Sequence, residues 1–121
     1  MQKADWFTKQ QLTYKVLRDF LIFLWYNLGD EWNVRTGRNI PSRIAWIKHL
    51  YFYLAKKYIG TDYNEIAKYT NRGRCAVYNS RGRVEFEMKI NDKYKQEVEN
   101  IEAAIENRFR VNNDLINDNG N

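Results

Sequence analysis

Leu12, Val16, Leu17, Phe20, Leu21, Leu24 and Leu28 recur at three- and four-residue steps, the period at which one face of a helix turns toward a core. They predict a first helix over residues 8–28, with Thr8 as its N-cap and Gly29 just past its C-cap. Phe23, Trp25 and Tyr26 add apolar surface beyond that face. This helix is therefore expected to be buried on more than one side or to meet a partner chain, and a homodimer through it is the expected assembly. Residues 30–42 carry Gly37 and the single proline, Pro41, and Arg35, Arg38 and Arg43 make this stretch a basic connector. A second helix follows over residues 43–58, with Ile44, Ile47, Leu50, Tyr51, Leu54 and Tyr58 on one face and Gly60 at its end.

The pattern then tightens. Thr61 or Asp62 caps a short helix over residues 63–70, with Ile66 and Ala67 facing inward. Asn71-Arg72-Gly73 is a turn, because Asn and Gly accept positive φ at low cost. A new helix starts near Arg74, with Val77, Ser80, Val84 and Met88 at helical spacing. Two helices joined by so short a turn predict a helix-turn-helix over about residues 56–90. Tight packing of such a pair asks for a small residue in the first helix and a branched apolar one in the second, and Ala67 and Val77 meet that demand. Asn91-Asp92 interrupts the helix and caps a last one over residues 93–110, whose apolar stripe is Tyr94, Val98, Ile101, Ile105 and Phe109. Glu97, Glu99, Glu102 and Glu106 lie off that stripe. The expectation is a single all-α helical bundle over residues 1–111 with a disordered polar tail at 112–121.

Composition narrows the class. The chain has 121 residues, room for one core, and 44% of them are apolar. The longest apolar run, residues 20–26, is about two helical turns, far short of the roughly 18 residues of a membrane span. The N-terminus lacks the basic-then-apolar opening of a secretory signal. One cysteine and one histidine leave no disulfide framework and no common zinc pattern, so no metal or cofactor is expected and a reducing, cytoplasmic compartment is the simplest reading.

The net charge of +5 becomes informative once mapped. Residues 1–34 are neutral overall, residues 35–83 carry eleven basic side chains against Asp62 and Glu65, and residues 84–121 carry five basic against nine acidic. A middle segment of net +9 attracts a polyanion, because each phosphate contact releases condensed counterions. Within it, Arg74 lies in the first turn of the predicted recognition helix, where a guanidinium can bond both acceptors of a guanine. Tyr78 and Arg81 follow on the same face, with Asn79 and Arg83 beside them. Arg72, Lys56, Lys57 and Lys68 leave from helix ends and turns and suit phosphate contacts. Lys48 suits either phosphate or a narrow minor groove. Cys75 follows an arginine at a helix start, which lowers a thiol pKa, yet backbone contact or packing fits it better than nucleophilic chemistry. His49 reads as a surface or core residue, and Trp6, Trp25, Trp32, Trp46, Tyr51, Phe52 and Tyr53 read as core rather than as stacking platforms. No carboxylate pair converges in the basic segment, so no enzymatic activity is expected.

The stretches 49–58 (HLYFYLAKKY), 63–68 (YNEIAK) and 71–77 (NRGRCAV) resemble the C-terminal DNA-binding domain of the chromosomal replication initiator DnaA. The resemblance covers about residues 38–105 and implies a Trp-repressor-like helical fold with an extra N-terminal helix. It places Arg72 at the family's motif arginine, Val77 at its motif valine, Val84 at its core position seven residues on, and Lys48 where the family has a minor-groove arginine. Gly73, Arg74, Cys75 and Ala76 replace the family's Asp-His-Thr-Thr, which reads bases, so the same origin box is not the expected target. The family's ATPase domain and any P-loop are absent from this sequence. Residues and resemblance together predict double-stranded DNA binding, as a regulator or an accessory replication protein. The alternative is a helical protein–protein interaction module derived from such a domain.

Overall fold

A computed structural model of the chain describes residues 9–28, 42–60, 63–70 and 74–111; the side chains of Ser42 and of residues 67–70 and 74–76 stand outside that description. The described residues are mostly helical. In chain order they form a two-residue strand β1 (Gln10–Gln11), helix α1 (Tyr14–Asp19) running into a π-helical turn (Phe20–Trp25), and α2 (Ser42–Tyr58). They continue with α3 (Tyr63–Thr70), α4 (Arg74–Ile90), α5 (Asp92–Arg108) and a second short strand β2 (Phe109–Arg110). No described helix is long and apolar enough to cross a membrane.

The first helix differs from its predicted span at both ends. Thr13, not Thr8, is the N-cap: its backbone is extended and its side-chain oxygen accepts from the Val16 amide at 3.2 Å. Leu12 is buried as expected, but from an extended segment, because β1 pairs in parallel with β2 in the register Gln10 with Phe109 and Gln11 with Arg110. Phe109, expected to extend the last helix, instead sits in β2 and packs edge-on against Phe20 at 5.6 Å between centroids. At the other end the Tyr26 amide reaches back five residues to the Leu21 carbonyl at 2.9 Å, the wide spacing of a π-turn. That extra residue per turn rotates the face: Ile22 goes inside, while Phe23 and Leu24 are 58% and 62% exposed. Leu24, predicted for the core, is thus on the surface. Trp25 and Tyr26 are half-buried, Trp25 beside the Phe20 ring. The left-handed position that ends the segment is taken by Asn27 at φ 53°; the predicted terminator, Gly29, lies outside the described residues, as do residues 30–41 and the tail at 112–121.

α2 is the central element. Ile44, Ile47, Leu50, Tyr51, Phe52, Leu54, Ala55 and Tyr58 are all buried, too many for a single stripe, since α1, α3, α4 and α5 each pack against part of its circumference. Leu17, Leu21, Ile66, Val77, Val84, Val98, Ile101 and Ile105 complete the main core, and Ile22, Leu28, Ile44 and Ile47 form a smaller one. Gly60 follows α2 where a Cβ would lie 2.5 Å from the Tyr14 hydroxyl and 2.7 Å from Ile66 Cγ1, so only glycine fits without a shift. α5 starts as predicted: the Asn91 side chain accepts from the Tyr94 amide at 3.1 Å.

Candidate nucleic-acid interface

α4 is amphipathic in its own right. Val77, Ser80 and Val84 are buried against α2, and Ser80 Oγ lies 2.8 Å from Nδ1 of His49, which ties the one buried polar side chain of this face into the seam. His49 is thereby placed between helices, edge-on to Trp46. The opposite face carries Tyr78, Asn79, Gly82 and Arg83, all exposed. A Cβ on Gly82 would meet nothing within 4 Å.

Tyr63, at the start of α3, organises the near edge of that face. Its ring lies 5.2 Å from the Tyr78 ring in an edge-on contact, and Lys56 Nζ stands 5.4 Å above it. Its hydroxyl accepts from Arg81 Nη1, while Arg81 Nε lies 3.1 Å from Glu85 one turn on. The structure thus brings Lys56, Tyr78 and Arg81 together from α2 and α4 around one tyrosine. Sequence reasoning gave Tyr63 no role beyond a helix start. Its one available signal was an aromatic directly after a cap, within reach of two basic segments.

The remaining predicted residues divide. Asn79 and Arg83 share the open face with Tyr78. Lys57 points elsewhere: its ammonium is 2.8 Å from Glu102 on α5, where the Tyr53 hydroxyl also donates at 3.3 Å. Lys48 is half-buried on α2. Arg74 and Cys75 open α4 with their backbone, and their side chains, like that of Lys68, lie outside the described residues, as does Arg72 altogether. Ala67, the expected packing partner of Val77, has its side chain outside the description too. Among the described residues no His, Cys, Asp and Glu group is arranged to hold a metal.

Electrostatics separates the two ends of α4. Asn79, Arg81 and Arg83 lie in its middle turns, whereas its last turns carry Glu85, Glu87 and Lys89 with the exposed apolar pair Phe86 and Ile90. A polyanion is attracted more strongly to the middle turns than to the last ones. No protein-family model, curated protein or solved structure matches this chain.

Proposed function

We propose that the chain binds double-stranded DNA, with α3 and α4 acting as a helix-turn-helix and the first half of α4 lying in the major groove. The observation that carries this reading is the open face Tyr78–Asn79–Gly82–Arg83, flanked by Lys56 and Arg81 around Tyr63, inside the segment of net charge +9. Each group has a fitting task. Asn79 can bond the N6 and N7 edge of an adenine, and Arg83 and Lys56 can neutralise phosphates on either side of the groove. Gly82 leaves room for the helix backbone to approach closely. In this reading Arg74 reads bases and Arg72 touches phosphate, as the resemblance to the DnaA domain suggests, with Cys75 beside Arg74 in the sequence. In this role the protein serves as a regulator or an accessory replication factor.

The test is an electrophoretic shift with random duplex across a salt series, the protein being shown folded. Log affinity should fall with log salt at roughly −0.9 per phosphate neutralised, and Arg83→Ala should flatten that slope by about one unit. Absence of duplex binding at about 50 mM salt, where counterion release favours it most among ordinary buffers, overturns the proposal. A second reading, a helical interaction module that self-associates or holds another protein, is favoured by the exposed pairs Phe23–Leu24 and Phe86–Ile90. The duplex shift separates the two, and sedimentation at several concentrations tests the self-association.

A further inference from the structure

A cavity of about 540 Å³ opens between the end of the π-turn, the first half of α2, the last turns of α4 and the first turns of α5. Its size lies within the roughly 300–1,000 Å³ of small-molecule sites. Tyr26, Trp46 and Tyr94 give it aromatic walls, with the Trp46 and Tyr94 rings 5.8 Å apart and edge-on, and Ile47 and Leu50 give it an aliphatic floor. Its charged groups are Glu87, Glu97 and Arg43. Arg43 is exposed and turns one guanidinium nitrogen toward the Tyr26 carbonyl at 3.4 Å. Glu87 accepts from the Asn91 side-chain amide at 3.1 Å, and Glu97 accepts from the Tyr26 hydroxyl. Neither carboxylate has a cationic partner among the described residues.

The Tyr94 hydroxyl itself is closed off from solvent and has no hydrogen-bond partner among the described residues, so Tyr94 offers the cavity its ring and not its oxygen.

Two carboxylates with no ion-pair partner among the described residues and three aromatic walls form one inventory. We propose that this cavity binds a small organic amine in its cationic form, carried on a flat apolar body. The N–H donors of an ammonium match the carboxylates of Glu87 and Glu97, the ring faces attract the charge, and the apolar body lies along Trp46, Ile47 and Leu50. An anion is disfavoured by the carboxylates, and a neutral isostere forgoes the charge-assisted bonds.

The probe is 2-phenylethylamine, titrated calorimetrically into the full chain beside its neutral and anionic isosteres, 2-phenylethanol and 3-phenylpropionate. The amine should bind saturably at one site, the alcohol about tenfold more weakly, and the carboxylate not at all. Glu97→Gln keeps an acceptor for the Tyr26 hydroxyl while removing the charge, so it should weaken the amine about tenfold and leave the alcohol unchanged. Glu99→Gln, on the exposed side of α5, should change neither. Glu87→Gln supplies the same test should Glu97→Gln fail to fold. Amine binding should also shift the Trp46 indole N–H resonance, identified by its loss in Trp46→Phe. Lack of saturable amine binding in the millimolar range, equal affinities for amine and alcohol, or amine binding indifferent to both glutamate variants would each overturn the proposal. None of these outcomes bears on duplex binding, which is read separately.

Discussion

Along α5, Glu97, Glu102 and Glu106 each accept a hydrogen bond from a tyrosine hydroxyl brought by another element, Tyr26, Tyr53 and Tyr58 respectively, and Glu102 also receives Lys57. Along the middle of α4, by contrast, Asn79 and Arg83 stand in solvent, Lys56 and Arg81 lean on a tyrosine, and Arg81 also meets Glu85 in a surface ion pair. Both regions are rich in charge and tyrosine, yet one turns them inward and the other outward. The acidic excess of the C-terminal third is therefore partly structural: three of its nine carboxylates accept from tyrosines, two on α2 and one at the end of the π-turn. Of the described basic side chains in the middle segment, Arg43 and Arg83 are exposed and Lys48, Lys56, Lys57 and Arg81 are half-buried, and none is fully withdrawn from an external polyanion.

Alkaline pH should break the inward region first, and this is the largest effect expected. Burial pushes the phenols of Tyr26, Tyr53, Tyr58 and Tyr94 well up from their ordinary value, with neighbouring carboxylates adding to it, and pushes Tyr51 up to about 12 against an opposing pull from Arg18. In the unfolded chain these groups ionise near 10. Above that pH the unfolded state binds fewer protons than the folded one, so stability falls as pH rises; below it the contribution is fully present. Each tyrosine can remove at most about 1.4 kcal/mol per pH unit, less where solvent screens a half-buried ring. Urea unfolding should show a loss of several kcal/mol between about pH 10 and pH 11. A midpoint that stays flat over that interval would mean the phenols are not held protonated by the fold.

Glu102→Ala removes the acceptor shared by Tyr53 and Lys57. It should destabilise by about 1–3 kcal/mol, toward the lower end because the Lys57 side chain is 41% exposed. Duplex affinity per folded molecule should not fall, since the change is on α5 and releases a cation. The urea midpoint and a shift assay check the two halves of this expectation. Weaker duplex binding by the folded variant would extend the interface onto α5 and erase the contrast between the regions.

These pairings show where sequence reasoning reached and where it stopped. The spans of α2, α3 and α4, the Asn91 cap and the buried stripe Val77–Ser80–Val84 follow from spacing and cap chemistry, which act within a few residues. The π-turn escaped because a single extra residue in one turn leaves the composition unchanged while rotating Ile22 inward and Leu24 outward. The β1–β2 pairing joins residues 99 positions apart, and no local pattern announces it. The glutamates of α5 were placed only as lying off its apolar stripe, because the partners of Glu97, Glu102 and Glu106 lie on α2 and at the end of the π-turn. At the candidate interface, Tyr78, Asn79 and Arg83 were legible as the outer face of a periodic helix, whereas Tyr63 as their neighbour depends on how α3 meets α4. The direction of Lys57 was hidden for the same reason: its partner is 45 residues away.

Gly82→Ala gives the smallest change in stability and tests the outward region alone. Glycine in a helix interior costs about 0.5–1 kcal/mol relative to alanine, and here a Cβ enters open space. The variant should therefore be more stable by about that amount, with an unchanged denaturant slope. If the first half of α4 lies in the groove, the new methyl stands between the helix and the base edges it approaches, and duplex affinity should drop severalfold. Stability and affinity then move in opposite directions, which a general loss of structure cannot produce. Opposed movement is also not what the interaction-module reading expects, since there the glycine lies off the apolar pairs that would hold a partner. Undiminished duplex binding by a stabilised Gly82→Ala would mean that α4 does not come close to DNA at this turn, leaving Lys56, Arg81 and Arg83 to bind phosphate from a distance.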